Sequence, residues 1–207
     1  MNPKSRPWLF AIVLAGGMTL SSAVSAAVIT QLFSLAEMTS PTLLNDFEAA
    51  KNTPDVTFDA SAVLGTSAAW TDGVTPSGTQ GLTESVGSQP LGAALTQPAF
   101  EVGMWFGNDD FNLVFDVVLE VFDGVTSLGS VSLQDNANDY ADQFIGLRSD
   151  MGFDRVEISY QRPEAQQLSI YIDDFYVSAT AVPEPATLML LGLGLAGFGA
   201  LRRRSPR

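Results

Sequence analysis

The sequence predicts an all-β domain, an antiparallel β-sandwich, between two short end segments of different character. Apolar and polar residues alternate with a period of two over several stretches of its second half, as in half-buried strands. Turn residues separate these stretches at short intervals, and no long amphipathic helix interrupts them. Together these observations predict seven to nine strands within residues 28–181, with a single domain as the unit.

The clearest strands lie between residues 100 and 177. Asp123-Gly124 is a turn signal that predicts a hairpin between two of them. The expected strands share an alternation of large apolar residues and fall at 100–106, 113–121, 128–133, 144–147, 156–160 and 168–177.

The first half of the domain is less regular. Residues 60–98 are rich in Gly, Ser, Thr, Ala and Pro, which favours short strands and long loops. Residues 42–50 are compatible with a short helix.

The N-terminal segment, residues 1–27, predicts a signal peptide. Lys4 and Arg6 give it a positive start, and an apolar stretch over 8–20 is followed by small residues. Signal peptidase is expected to cut after Ala26 or Ala27. The alternative is an uncleaved membrane helix, for which the apolar stretch is short.

The C-terminal segment, residues 182–207, has three parts. Pro183, Glu184 and Pro185 precede an apolar run over 186–201, and the basic cluster that follows is Arg202, Arg203 and Arg204. As a helix the run would span roughly 24 Å, enough for a thin bilayer. The arginines would then stay on the cytoplasmic side. A plain single-pass anchor is the alternative.

This tripartite end resembles the PEP-CTERM sorting signal of Gram-negative and related bacteria. The resemblance implies that exosortase, a membrane transpeptidase, processes the chain. It also implies an exported protein that is anchored in the inner membrane before processing and then reaches the cell surface or the extracellular matrix. Substrates of this type are associated with exopolysaccharide and biofilm material.

The region between the two ends is strongly acidic. It carries four basic side chains against 22 acidic ones, which leaves a formal net charge of −18. Such a surface argues against nucleic acid as a partner and offers many oxygen ligands for divalent cations. The chain has no cysteine and no histidine, so disulfides, Cys/His zinc sites and Ser-His-Asp triads are excluded.

The domain also resembles jelly-roll carbohydrate-binding modules, through Asp46-Phe47-Glu48 near its start and Ile172-Asp173-Asp174-Phe175 near its end. In those modules, carboxylates near the first and last strands often hold a structural calcium ion. The resemblance implies Glu48 as a calcium ligand together with one of the two aspartates. Adjacent strand residues face opposite ways, so only one aspartate can join Glu48 unless a bulge turns the other, and Asp174 is the choice. The alternative is a set of solvated carboxylates.

Three aromatic residues, Trp70, Trp105 and Tyr140, are candidates for a sugar-stacking platform. Trp105 alternates with the apolar set of its strand and should therefore face away from Phe106. That position suits an exposed platform. It also suits a second small core, if another segment covers that face.

The function expected from these features is that of a non-enzymatic surface or matrix protein that interacts with exopolysaccharide. A carbohydrate-active hydrolase and a ligand-free spacer are the alternatives. Glycosidases need two carboxyl groups that face one sugar, and Asp109-Asp110 and Asp173-Asp174 are sequence neighbours instead.

Overall fold

The computed structural model describes residues 26–66, 76–84, 90–107, 114–137, 140–161 and 170–181. Within these ranges the chain forms ten strands and one short 3₁₀ turn, Leu35–Glu37. The strands are β1 (Ile29–Leu32), β2 (Thr42–Asn45), β3 (Val56–Phe58), β4 (Ala62–Thr66), β5 (Gln80–Glu84), β6 (Leu91–Gly107), β7 (Asp116–Asp123), β8 (Thr126–Gln134), β9 (Gln143–Gln161) and β10 (Tyr171–Ser178). The prediction of an all-β antiparallel sandwich is confirmed.

Two long strands, β6 and β9, run through both layers of the sandwich. The N-terminal half of β6 pairs with the C-terminal half of β9, and the C-terminal half of β6 pairs with the N-terminal half of β9, both antiparallel. The register shifts between Ala94 and Glu101, where β6 bends. One layer holds β8, β7, the C-terminal half of β9, the N-terminal half of β6, and β3. The other holds β1, the remaining halves of β9 and β6, then β10 with β2 and with β5 and β4.

The core lies between these two layers. Phe58 of β3 meets Phe175 of β10 edge to face, with ring centroids 5.4 Å apart, and Phe106 meets Tyr160 in the same manner at 6.4 Å. Each contact joins one layer to the other. The buried aliphatic residues of β6, β7, β9 and β10 belong to the same cluster, so one hydrophobic core holds the domain together.

Three sequence expectations about elements are wrong. The described residues form ten strands, whereas seven to nine were expected. Residues 42–45 form strand β2, paired with β10, in place of a helix. The two strands expected at 144–147 and 156–160 are one strand, β9. The expected hairpin is present: β7 and β8 are joined at Gly124, whose φ of 59° suits a residue without a Cβ.

A buried ion pair fixes a segment that we call the strap, residues 33–41, on the outer face of the second layer. Glu101 is fully buried and lies 2.6 Å from Nε of Arg148. Its other carboxylate oxygen accepts a 2.6 Å bond from the Thr39 amide, and Arg148 donates to the Glu37 carbonyl at 2.8 Å. The strap and the sheet together form a second small cluster of Leu32, Met38 and Phe144, with Leu35, Trp105 and Tyr176 packed against it.

Removal of Arg148 should therefore be costly. Arg148→Met would leave the Glu101 carboxylate buried without its cation, and we expect a loss of about 3–5 kcal/mol in the free energy of unfolding. Denaturant unfolding of the domain measures this loss.

Arg155→Met is the matched control. Arg155 pairs with Glu157, and its side chain is 41% exposed, so we expect a change of about 0–1 kcal/mol. Glu101→Gln combined with Arg148→Met should recover part of the loss. Equal effects of the two arginine substitutions would show that the pair does not hold the strap.

Candidate functional site

A bulge in β10 places two acidic side chains on one loop. Asp173 lies opposite Trp105 of β6, and the register shifts between Asp173 and Tyr176. Asp174 has a φ of 48°, a left-handed conformation that departs from regular strand geometry. In a regular strand only one of the two aspartates can face Glu48, unless a bulge turns the other. The bulge is present, and both aspartates bond the same serine.

The loop 77–80 holds these carboxylates. Asp174 accepts a hydrogen bond from the Ser77 hydroxyl at 2.7 Å, and Asp173 accepts one from the Ser77 amide at 3.4 Å. Oε1 of Glu48 accepts from the backbone amides of Thr79 and Gln80, both at 2.7 Å. The structure therefore brings Glu48 and Asp174, the expected calcium ligands, to one loop, together with Asp173.

No three acidic side chains of the described ranges converge as a metal-binding group. The hydrogen bonds of the loop already engage both carboxylate oxygens of Glu48 and one of Asp174. A cation here would need Glu48 and Asp174 with further oxygen ligands from the backbone, as the sequence reasoning assumed. The calcium site stays a prediction.

Burial and neighbouring negative charges raise the pKa values of several groups at this loop. Burial raises the pKa of Asp173 to about 7, against hydrogen bonds from the Asp174 and Ser77 amides that lower it, and the charges of Asp174 and Glu48 raise it further. Burial also raises the pKa of Asp174, with contributions from Asp46 and Glu48, while the Ser77 hydroxyl lowers it. Burial and the charge of Asp173 raise the pKa of Tyr171 as well.

The structure describes two of the three residues expected to form the aromatic platform, Trp105 and Tyr140. Trp105 is half-buried on the outer face, where its ring meets Phe144 edge to face at 5.7 Å. Tyr140 is 38% exposed, and its backbone lies over Gly107: a Cβ at Gly107 would come within 2.4 Å of the Tyr140 carbonyl. Both residues therefore lie near the same end of β6. Trp70 lies outside the described residues, and the platform stays a prediction.

Sequence reasoning did not find the role of the 77–80 loop. Neither Ser77 nor Thr79 belongs to a motif, and nothing in their spacing points to Glu48. The adjacent pair Asp173-Asp174 was the available signal, because two neighbouring carboxylates in a buried strand suggest a local departure from regular pairing.

The fold thus defines an acidic antiparallel β-sandwich. The C-terminal segment that follows the sandwich adds to this description, because residues 181–204 match the PEP-CTERM protein-sorting motif. This match confirms the sorting resemblance and indicates an exported surface protein that exosortase processes. The motif residues named above, Pro183 to Pro185 and Arg202 to Arg204, lie outside the described residues, as does the signal peptide up to residue 25. No helix within the described ranges is long and apolar enough to cross a membrane.

No curated protein matches the chain significantly. Several solved structures resemble it weakly, among them the following three. The crystal structure of the Agl-KA catalytic domain is 17% identical, with a TM-score of 0.40, over 65% of this chain and 28% of that one. This chain therefore spans less than a third of that domain.

The other two are carbohydrate-binding modules. The CBM22-1 xylan-binding domain from Paenibacillus barcinonensis Xyn10C is 13% identical, with a TM-score of 0.41, over 68% of this chain and 97% of that one. The family 11 carbohydrate-binding module of the cellulosomal cellulase Lic26A-Cel5E of Clostridium thermocellum is 11% identical, with a TM-score of 0.36, over 72% of this chain and 99% of that one. Likenesses of this strength carry no information on what this chain binds.

The raised pKa of Asp173 predicts a pH-dependent stability. The unfolded carboxyl titrates near 3.8 and the folded one near 7, so the contribution of Asp173 to stability is complete below about pH 4. It is lost as the pH rises to about 7, because ionisation then favours the unfolded chain. Asp173→Asn should abolish this loss, and its stability relative to the wild type should be higher at pH 8 than at pH 4.

Chemical denaturation across this pH range measures the effect. Asp116→Asn, at the exposed start of β7, is the matched control and should follow the wild-type pH profile. If the Asp173→Asn and wild-type profiles run parallel, Asp173 does not titrate differently in the two states.

Proposed function

We propose that this chain is a non-enzymatic cell-surface or extracellular-matrix protein whose β-sandwich binds exopolysaccharide or another component of a biofilm matrix. The observation that carries the proposal is the PEP-CTERM motif at residues 181–204, which follows the last strand of the sandwich after two residues. A domain delivered in this way acts outside the cell, where polysaccharide is an abundant partner.

The charge of the domain limits the kind of polysaccharide. At a formal net charge of −18, the sandwich repels a polyanion unless cations intervene. In addition, each of the described basic side chains makes intramolecular contacts with carbonyl or carboxylate groups. Lys51 donates to the carbonyls of Asp59 and Ala62, Arg148 pairs with Glu101, and Arg155 pairs with Glu157 over the ring of Phe122. The described surface therefore favours a neutral polysaccharide.

Aromatic side chains supply the contact that a neutral sugar needs, because a ring is a broad apolar surface that pairs with the C–H face of a pyranose. Tyr140 and Trp105 are the described residues proposed for this role, near the end of β6. Asp173 and Asp174 of β10 are buried and bonded to Ser77, so they are not part of the proposed sugar contact.

A glycan array with the purified domain, with and without calcium, tests the proposal. Binding to neutral polysaccharides is expected, and Tyr140→Ala should weaken it about tenfold, the factor that corresponds to 1.4 kcal/mol. Trp105→Ala should weaken it too, with circular dichroism to verify that the variant is folded.

Val125→Ala, at a hairpin tip far from Tyr140, is the control and should bind as the wild type does. Release of reducing ends from a bound glycan would replace the proposal with the hydrolase alternative. An array without any signal would leave the spacer alternative.

Calcium is the second part of the proposal. Burial is the main reason why the pKa of Asp174 is raised, and the charges of Asp46 and Glu48 add to it; a divalent ion beside Glu48 and Asp174 would offset this repulsion. It would also tie the 77–80 loop to β10 and to the segment after β2. Such an ion binds only the folded state. A free calcium concentration of 100 times the dissociation constant would therefore add about 2.7 kcal/mol to the free energy of unfolding.

Melting curves with calcium and with a chelator measure this gain, which should raise the midpoint by roughly 5–10 °C. Glu48→Gln and Asp174→Asn should each remove the shift, whereas Asp116→Asn should keep it. Identical wild-type midpoints in the two conditions would remove calcium from the proposal.

A further inference from the structure

The first and the last described segments of the chain, before β1 and after β10, emerge from the same end of the sandwich. One row of register partners crosses four neighbouring strands: Thr30 pairs with Arg148, Arg148 with Glu101, and Glu101 with Ser178. Thr30 is the second residue of β1 and Ser178 is the last residue of β10. Three strand spacings separate them, roughly 14 Å.

This end, which we call the anchor-proximal end, is formed by the bends of the long strands and by one hairpin. β6 bends between Ala94 and Ala99, and β9 turns over the same region, where Ala99 pairs with Phe153. The β7–β8 turn lies beside it, since the Gly124 amide donates to Asp154 at 2.8 Å. The amide of Val28 donates to Asp150 at 2.7 Å, which fixes the start of β1 there too.

The opposite end, which we call the distal end, lies where β6 ends and β10 begins. β10 begins there at Tyr171, opposite Gly107, the last residue of β6. The hydroxyl of Tyr160 donates to the Gly107 carbonyl, so the two layers meet at this level. Tyr140 lies over Gly107 and therefore also belongs to the distal end.

The connection to the membrane anchor is short. Seven residues, 179–185, separate the end of β10 from the apolar run that begins at residue 186. Fully extended, they reach at most about 25 Å. The sandwich is thus held within about its own length of the bilayer, and it is held by its anchor-proximal end.

We propose that, in the membrane-anchored precursor, the anchor-proximal end lies against the lipid bilayer surface and the distal end points away from it. The end that faces the lipid carries exposed apolar side chains, with Val125 at 92%, Val28 at 62% and Met151 at 39% exposure. It also carries the carboxylates of Asp123, Asp150 and Asp154, which keep it at the level of the headgroups. The short tether, and not lipid affinity, sets the orientation. The distal end, with Tyr140, is then the one presented to a partner outside the cell.

The chain has no cysteine, so one introduced cysteine gives a unique label position. Val114 and Val125 form a matched pair. They flank the eight-residue strand β7, Val114 at the distal end with 51% exposure and Val125 at the anchor-proximal end. The full-length chain carrying Val114→Cys or Val125→Cys is labelled with a fluorescent donor and reconstituted into phosphatidylcholine vesicles with acceptor-labelled headgroups.

Energy transfer should place the label at 125 closer to the headgroups than the label at 114. The expected difference is roughly 25 Å, the length of an eight-residue strand. A flexible Gly/Ser insertion of about 20 residues after Ala181 should reduce it, because a random coil of that length spans roughly 25 Å on average and frees the orientation.

Equal distances for the two labels, or a shorter distance for 114, would overturn the orientation. A chain that does not float with the vesicles would overturn the anchored precursor itself. Neither result depends on glycan binding, so this inference and the proposed function fail separately.

Discussion

The pairing of β6 with β9 is the constraint on which the rest of the domain depends. Both strands pass from one layer to the other, and the same two strands pair in each layer. All the other strands attach directly or through a neighbour to one of these two: β1 and β7 to β9, and β3 and β10 to β6. The position of the bends therefore decides where the layers face each other, where both chain ends emerge, and where the loops of the distal end collect.

The acidic composition shapes how this framework is completed. Few cationic side chains are present, and each of the described ones is engaged in intramolecular contacts. Arg148 neutralises Glu101 beneath the strap, and the ammonium group of Lys51 binds backbone carbonyls of the turn between β3 and β4. As a result, few cationic side chains remain to offset the negative charge of the outer surface. At the 77–80 loop the partners of the carboxylates are backbone amides and a serine hydroxyl, and burial raises the pKa of Asp173 to about 7, with the charges of Asp174 and Glu48 adding to the effect.

The sequence revealed the fold class because strand periodicity is local. Residues 102–106 and 117–121 bury every second side chain, and Asp123-Gly124 closes a hairpin as its residue types require. The continuity of the long strands was not visible, since Pro98 and Gly152 interrupt the alternation at the bends and resemble loop residues there.

The candidate site could be predicted only in part. Glu48 and Asp174 were named through a family resemblance, and the structure does bring them to one loop. Their meeting depends on Ser77 and Thr79, which are more than 20 residues away from either carboxylate in sequence, and on a left-handed residue in β10. The packing of Trp105 against the cluster of Leu32, Met38 and Phe144 likewise depends on tertiary contacts, which no local pattern encodes. The C-terminal sorting signal could be predicted for the opposite reason, because it is a linear segment of the sequence.

Native-state hydrogen exchange of the domain tests the central role of the β6–β9 pair most directly. The account predicts that amides of residues 101–107 with 143–148, and amides of residues 91–94 with 155–158, open with one common free energy, the largest in the domain. Exchange in these two sets would then depend on denaturant with one slope, that of global unfolding. If the two halves opened independently, with different free energies and different slopes, the layers would be separate units, and the pairing of β6 with β9 could not be what holds them together.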